Sequence, residues 1–155
     1  MHPNCAAVDA ILEAGGSLGR VQLLPDAAPN AAAAARQLGV DVGAIANSLV
    51  FATDAGEPVL ILTSGAHRVD TVKVAALLGT TKLARATPGL VRTATGQPIG
   101  GVAPVGHPAP LRTLVDVTLA NHPEVWAAGG IPHAVFRTTY DELLRLTAGR
   151  PAEVA

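Results

Sequence analysis

Two adjacent glycines stand in the run Gln97-Pro98-Ile99-Gly100-Gly101-Val102-Ala103-Pro104-Val105-Gly106-His107-Pro108. Lacking Cβ atoms, Gly100 and Gly101 let the backbone approach a ligand closely, while the flanking prolines restrict its motion. Amides held in that way can stabilise an oxyanion on a carbonyl under attack. The same composition also makes a stiff connector between strands, and the spacing lacks the Walker and dinucleotide-binding patterns. Other constellations are absent. The five histidines include no His-x-x-x-His pair, and Cys5 is the single cysteine, so no cysteine-based zinc site or disulfide framework is expected. Ser17, Ser48 and Ser64 lie in no Gly-x-Ser-x-Gly elbow. His133, following Gly129-Gly130-Ile131-Pro132, is a candidate for a cleft wall or an ordinary surface histidine. Lys73, Lys82, Arg85 and Arg92 form either a scattered basic face for a phosphate backbone or a solvated helix face.

Local signals define the elements that would hold these residues. Apolar residues at helical spacing over 5–12 end at Gly15-Gly16, and Asn30 can cap an alanine-rich helix running to Leu38 and Gly39. A short strand is expected over 20–24. Residues 47–53 and 58–63 are β-rich and are joined by Asp54-Ala55-Gly56-Glu57, the composition of a hairpin turn. Asp70 caps a predicted helix over 71–78, with Gly79 as its stop, and Pro88 suits an early position of a helix reaching Thr95. Residues 96–110 break both helix and strand. Strand-like patterns return at 112–119, 124–128 and 133–138, before an amphipathic helix over 139–146 capped by Thr138 or Thr139. Strands and helices interspersed without regular βαβ alternation predict a single α+β domain with a mixed sheet.

Composition narrows the function classes. Apolar types make up 49% of the 155 residues and charged types 15%, which excludes a disordered or polybasic tail protein. Only four residues are aromatic, so base-stacking platforms are scarce. The formal net charge of −1 gives no global pull toward nucleic acid or an anionic membrane. With no basic leader and no apolar run of spanning length, the expectation is a cytoplasmic protein without membrane partners.

Four segments, in order, resemble the YbaK/EbsC family, which includes the editing domain inserted in bacterial prolyl-tRNA synthetases. They are 32–51 (AAAARQLGVDVGAIANSLVF), 57–78 (EPVLILTSGAHRVDTVKVAALL), 98–107 (PIGGVAPVGH) and 125–146 (VWAAGGIPHAVFRTTYDELLRL). The resemblance implies a mixed β-sheet or barrel-like core flanked by helices, with no metal or cofactor. It implies an aminoacyl-tRNA deacylase acting in trans on the acylated 3′ end of a tRNA, with prolyl-tRNA synthetase as a possible partner. The Gly100 to Pro104 element would hold the substrate carbonyl, a ribose hydroxyl would help position or activate water, and Gly100, Gly101 and Asn47 would be catalytic. Ile99, Ala103, Pro104, His133, Ser48 and Lys73 would bind substrate. Many members carry lysine where this chain has Asn47, in Ile45-Ala46-Asn47-Ser48-Leu49. Asparagine can hydrogen-bond but brings no charge. Three readings follow: a polar positioning residue, a charge relocated to Lys73 or Arg68, or a binding protein without turnover.

Overall fold

The computed structural model describes residues 1–155. Its elements are α1 (Pro3–Ala14), β1 (Gln22–Leu23), α2 (Ala31–Leu38), β2 (Ile45–Thr53), β3 (Pro58–Ser64), α3 (Thr71–Leu78), β4 (Leu83–Arg85), α4 (Pro88–Thr95), β5 (Arg112–Asp116), β6 (Val125–Ala128), β7 (Ala134–Thr138), α5 (Tyr140–Thr147) and β8 (Arg150–Ala152). Local chemistry sets most helix ends. Asn30, Asp70, Thr87 and Thr139 each accept a hydrogen bond from a first-turn amide, and Gly39, Gly79 and Gly96 close three of these helices in the left-handed conformation.

All eight strands join one mixed sheet in the order β1-β7-β6-β2-β3-β5-β8, with β4 attached to β2. The fold is therefore the expected α+β domain, a mixed sheet flanked by helices. The predicted strand over 112–119 stops at Asp116, whose side chain accepts from the Thr118 amide and turns the chain into a 3-10 segment, Val117–Asn121. The predicted strand over 20–24 keeps only the two residues that pair with β7. No helix is long and apolar enough to cross a membrane.

Alternation along β2 divides the interior. Ala46 and Val50 pack with Val8 and Leu12 of α1, Val102, Ala103 and Val105 of the glycine loop, and Leu143 of α5. On the opposite face, Phe51 packs with Val74 and Leu78 of α3, and Ile45 with Ala34 and Ala35 of α2. Each fully buried Val or Leu contributes about 1.5–3 kcal/mol relative to exposure. These packings fix where the two faces of β2 meet the glycine loop and α2.

Candidate active site

The sheet forks along one edge of β2. Its other edge pairs with β3 from Ala46 to Ala52 without interruption. On the forked edge, β6 pairs only with Ile45 and Ala46, and β4 only with Phe51 to Thr53. Ile45 accepts from Gly65 and Thr53 donates to Glu57, so odd-numbered residues direct their backbone groups toward β3. The alternation of a regular strand then sends the amide and carbonyl of Ser48 into the fork. Ala86 closes its far end by donating to Val50 O at 3.0 Å.

A cavity of about 250 Å³ occupies this opening. It lies just under the roughly 300–1,000 Å³ range of drug-sized pockets, a size suited to a small head group. β2 contributes Asn47, Ser48 and Leu49, the glycine loop Ile99, Gly100 and Val102, and β6 Trp126. Two polar atoms in this lining, Ser48 Oγ and Trp126 Nε1, are buried with no hydrogen-bond partner. An unpaired buried group costs about 1–3 kcal/mol, and both atoms are shielded from solvent by the side chains around them.

The loop is braced from beneath. Gln97, 2% exposed, accepts from the Ala103 amide through Oε1 at 2.8 Å and donates from Nε2 to Val105 O at 3.3 Å. Thr95 Oγ1 accepts from the Gln97 amide at 3.0 Å, tying this brace to the end of α4. His107 Nε2 lies 2.8 Å from Ala103 O, which makes it the donor. Burial pushes the imidazole pKa down, against the opposing effect of that carbonyl, and so favours the neutral ring. Gly101 donates to Pro98 O at 3.0 Å, closing a turn in which Gly100 takes φ +87°. The amides of Gly100 and Val102 donate to no other backbone group.

This geometry sorts the sequence-derived residues. Asn47, Ser48, Ile99 and Gly100 line one cavity. Gly101 does not line the cavity and its amide donates to Pro98 O, whereas Val102 lines the cavity and its amide donates to no backbone group. Ala103 and Pro104 are buried behind the loop rather than on the cavity, because the Ala103 amide and carbonyl are both held by the brace. Lys73 stands elsewhere, with Nζ 3.8 Å from Glu153 and 3.0 Å from Ala155 O. His133 lines a separate cavity with Met1, His2 and Cys5, while its neighbours Pro132 and Ala134 face the fork. Gln97, Val102 and Trp126 were not singled out from sequence. Only the partnership of Gln97 with the Ala103 amide and the Val105 carbonyl, six and eight positions away, gives it meaning, and that partnership is invisible before folding.

A second polar cluster sits on the same face of the sheet as Asn47. Asn47 is opposite Thr63, and Thr63 Oγ1 lies 3.4 Å from Asp116 Oδ2. Asp116, 1% exposed, also accepts from the Ser64 amide at 3.0 Å and the Thr118 amide at 3.0 Å. Thr118 Oγ1 donates to it at 2.7 Å, and His67 Nδ1 lies 3.0 Å away. Burial alone would raise the Asp116 pKa, but these hydrogen bonds together outweigh it and hold the carboxyl below its usual range. No three His, Cys, Asp or Glu side chains gather in the manner of a metal site.

Residues 26–146 match the model of the aminoacyl-tRNA editing domain. The chain belongs to that family. It is 39% identical over 82 residues to a proline–tRNA ligase of Nitratidesulfovibrio vulgaris, a match covering 53% of this chain but only 14% of the ligase. It is also 32% identical over 110 residues to the uncharacterized protein YwhH of Bacillus subtilis, covering 71% of this chain and 69% of that protein. Among solved structures, a candidate trans-editing enzyme for prolyl tRNA synthetase superposes with a TM-score of 0.92 at 44% identity, over 99% of this chain and 98% of the other. The hypothetical protein APE2540 superposes at 0.88 with 28% identity, over 96% and 98% of the two chains. The editing-domain match takes in both β2 and the glycine loop, so the fork and its cavity lie wholly within it.

Proposed function

We propose that this editing domain is an aminoacyl-tRNA deacylase acting in trans, which hydrolyses the ester of a tRNA, tRNA-Pro above all, carrying alanine or another small amino acid. The observation that carries the reading is the pairing of two uncommitted amides, Gly100 and Val102, with a small, mostly apolar cavity in an editing-domain fold. The ester carbonyl sits against those amides, and Asn47 orients the acylated end from β2. Water adds to the carbonyl carbon, and the amides receive the negative charge that builds on its oxygen. Collapse breaks the bond to the ribose oxygen, which takes up the proton from water, releasing the amino acid and a tRNA with a free hydroxyl. A ribose hydroxyl adjacent to the ester helps to position the water. An aminoacyl ester is already reactive, so orientation and charge stabilisation can suffice without a protein nucleophile. Such an activity complements a synthetase, because one methylene gives a binding pocket only about 1–3 kcal/mol of discrimination. Prolyl-tRNA synthetase is the partner this reading implies, in the cytoplasm.

The replacement of the family's usual lysine by Asn47 favours a second reading, a binding protein for the same tRNA end that does not turn over. A panel of tRNAs charged with alanine, serine, threonine, cysteine and proline separates the two. The deacylase reading expects hydrolysis of at least one small mischarged amino acid well above the spontaneous rate, with Asn47→Ala lowering it. No hydrolysis by the natural chain, together with hydrolysis gained in Asn47→Lys, would establish the binding protein instead.

A further inference from the structure

Arg85 is the only charged residue among those lining the cavity, and no acidic residue lines it. Its place is fixed by pairing: on β4 it stands opposite Phe51 of β2, and its guanidinium carbon lies 5.7 Å from the Phe51 ring centroid. A cation is attracted to the face of an aromatic ring, and this contact limits where the guanidinium can point. The ion pairs of the chain engage His67, Lys73, Arg112, Arg137 and Arg145, but not Arg85. An arginine at the rim of an apolar cavity, exposed and without a carboxylate partner, is suited to an anion that presents two oxygens to the guanidinium, as a phosphodiester does.

We infer that Arg85 is the phosphate-binding residue of the site, receiving the phosphodiester on the 5′ side of the terminal adenosine. The inference rests on the deacylase reading above and extends it to the direction in which the acylated end lies. An aminoacyl ester carries one cation, its α-ammonium, and no free carboxylate; its anionic charge is all on the nucleotide backbone. Coulomb repulsion turns the ammonium away from Arg85, and attraction brings the phosphate toward it. The amino acid therefore points from the β4 side of the fork past Asn47 of β2 toward α2 and β6. The charge absent at Asn47 is thus supplied from β4, not from Lys73 or Arg68, neither of which lines the cavity.

The test compares alanyl esters of adenosine, which has no phosphate, and of the dinucleotide cytidylyl-adenosine, which has one phosphodiester. The natural chain is expected to favour the dinucleotide about tenfold in kcat/KM, through KM. Arg85→Gln should lose that preference, and Arg85→Lys should keep part of it. The slope of log KM against log salt for the dinucleotide should fall by about 0.7 in Arg85→Gln, the single-strand increment for one phosphate. An unchanged preference and slope in Arg85→Gln would overturn the assignment. Binding of the unacylated dinucleotide and of adenosine, followed by fluorescence of Trp126, supplies a readout independent of turnover. Arg85-dependent preference for the dinucleotide in a chain that hydrolyses nothing would retain the phosphate site and reject the deacylase. Equal binding by both variants would reject the site.

Discussion

Replacing Gly101 with alanine is expected to lower kcat for deacylation by about 10²–10³-fold, the loss typical of removing an oxyanion donor, although the Gly101 amide itself does not face the substrate. A Cβ at this position would lie 2.5 Å from Ile131 C, 2.6 Å from Ile131 Cα and 2.8 Å from Pro132 N. These are backbone atoms of the segment leading into β7, and that segment is anchored by Asn4 Nδ2 donating to Gly130 O at 3.0 Å. The neighbour cannot give way cheaply, so the glycine loop must move. The shift carries Gly100 and Val102 with it, and a displacement near 1 Å at a reacting group can cost about 10²-fold. Gly100→Ala provides the contrast. Its Cβ meets nothing within 4 Å, and its difficulty is φ +87°, which costs a side-chain-bearing residue about 1–2 kcal/mol. Single-turnover deacylation of mischarged tRNA checks the prediction, with circular dichroism confirming that both variants fold. Full activity in Gly101→Ala would mean that the loop's position is not what sets the rate.

Asp116→Ala should be the most damaging single change to stability among the polar residues, lowering it by about 2–4 kcal/mol, since each buried donor left without an acceptor costs about 1–3 kcal/mol. The substitution would leave the amides of Ser64 and Thr118 without an acceptor and His67 without its carboxylate. At about 2–4 °C per kcal/mol for a chain of this size, the melting temperature should fall by roughly 5–15 °C. The pH dependence has a definite sign. The folded-state pKa of Asp116 is held below its ordinary value, so near that value the unfolded chain binds more protons than the folded one. The resulting stabilisation is fully present above about pH 4, the ordinary aspartate pKa, and is lost as pH falls through the lower folded value. Asp116→Asn preserves the shape but cannot ionise, and its unfolding free energy should show a shallower acid limb below about pH 4. Chemical denaturation between pH 2.5 and 7 measures both effects. An acid limb as steep in Asp116→Asn as in the natural chain would remove Asp116 from the account.

Features legible before folding were those encoded within a few residues of one another. Asn30 and Asp70 announce helix starts because a short acceptor reaches an amide three positions ahead, and Gly39 and Gly79 announce ends because the left-handed conformation favours glycine. The β2–β3 hairpin is equally local. β4 and β8 escaped because three-residue strands are too short for alternation to show, and each exists only through its partner. The candidate site divides along the same line. Gly100, Ile99, Asn47 and Ser48 were read from the glycine run and from the resemblance, and the fold brings them to one cavity. The donor role of Gly101 could not be judged from its lack of a side chain, since the bond to Pro98 depends on how the turn closes. His133 follows from register: Pro132 and Ala134 line the fork and the residue between them faces elsewhere. Arg85 reaches the cavity only because β4 lies beside β2, a long-range pairing with no local signature.

The proposed mechanism depends on two loop amides meeting the substrate carbonyl. The most direct measurement is an amide-resolved NMR titration with a stable analogue, 3′-deoxy-3′-alanylamino-adenosine, whose amide replaces the ester. The largest amide-proton shifts should fall on Gly100 and Val102, with a small response at Gly101 because its proton stays on Pro98. Shifts concentrated around His133 and Cys5, or a saturable response that leaves Gly100 and Val102 unmoved, would contradict the account.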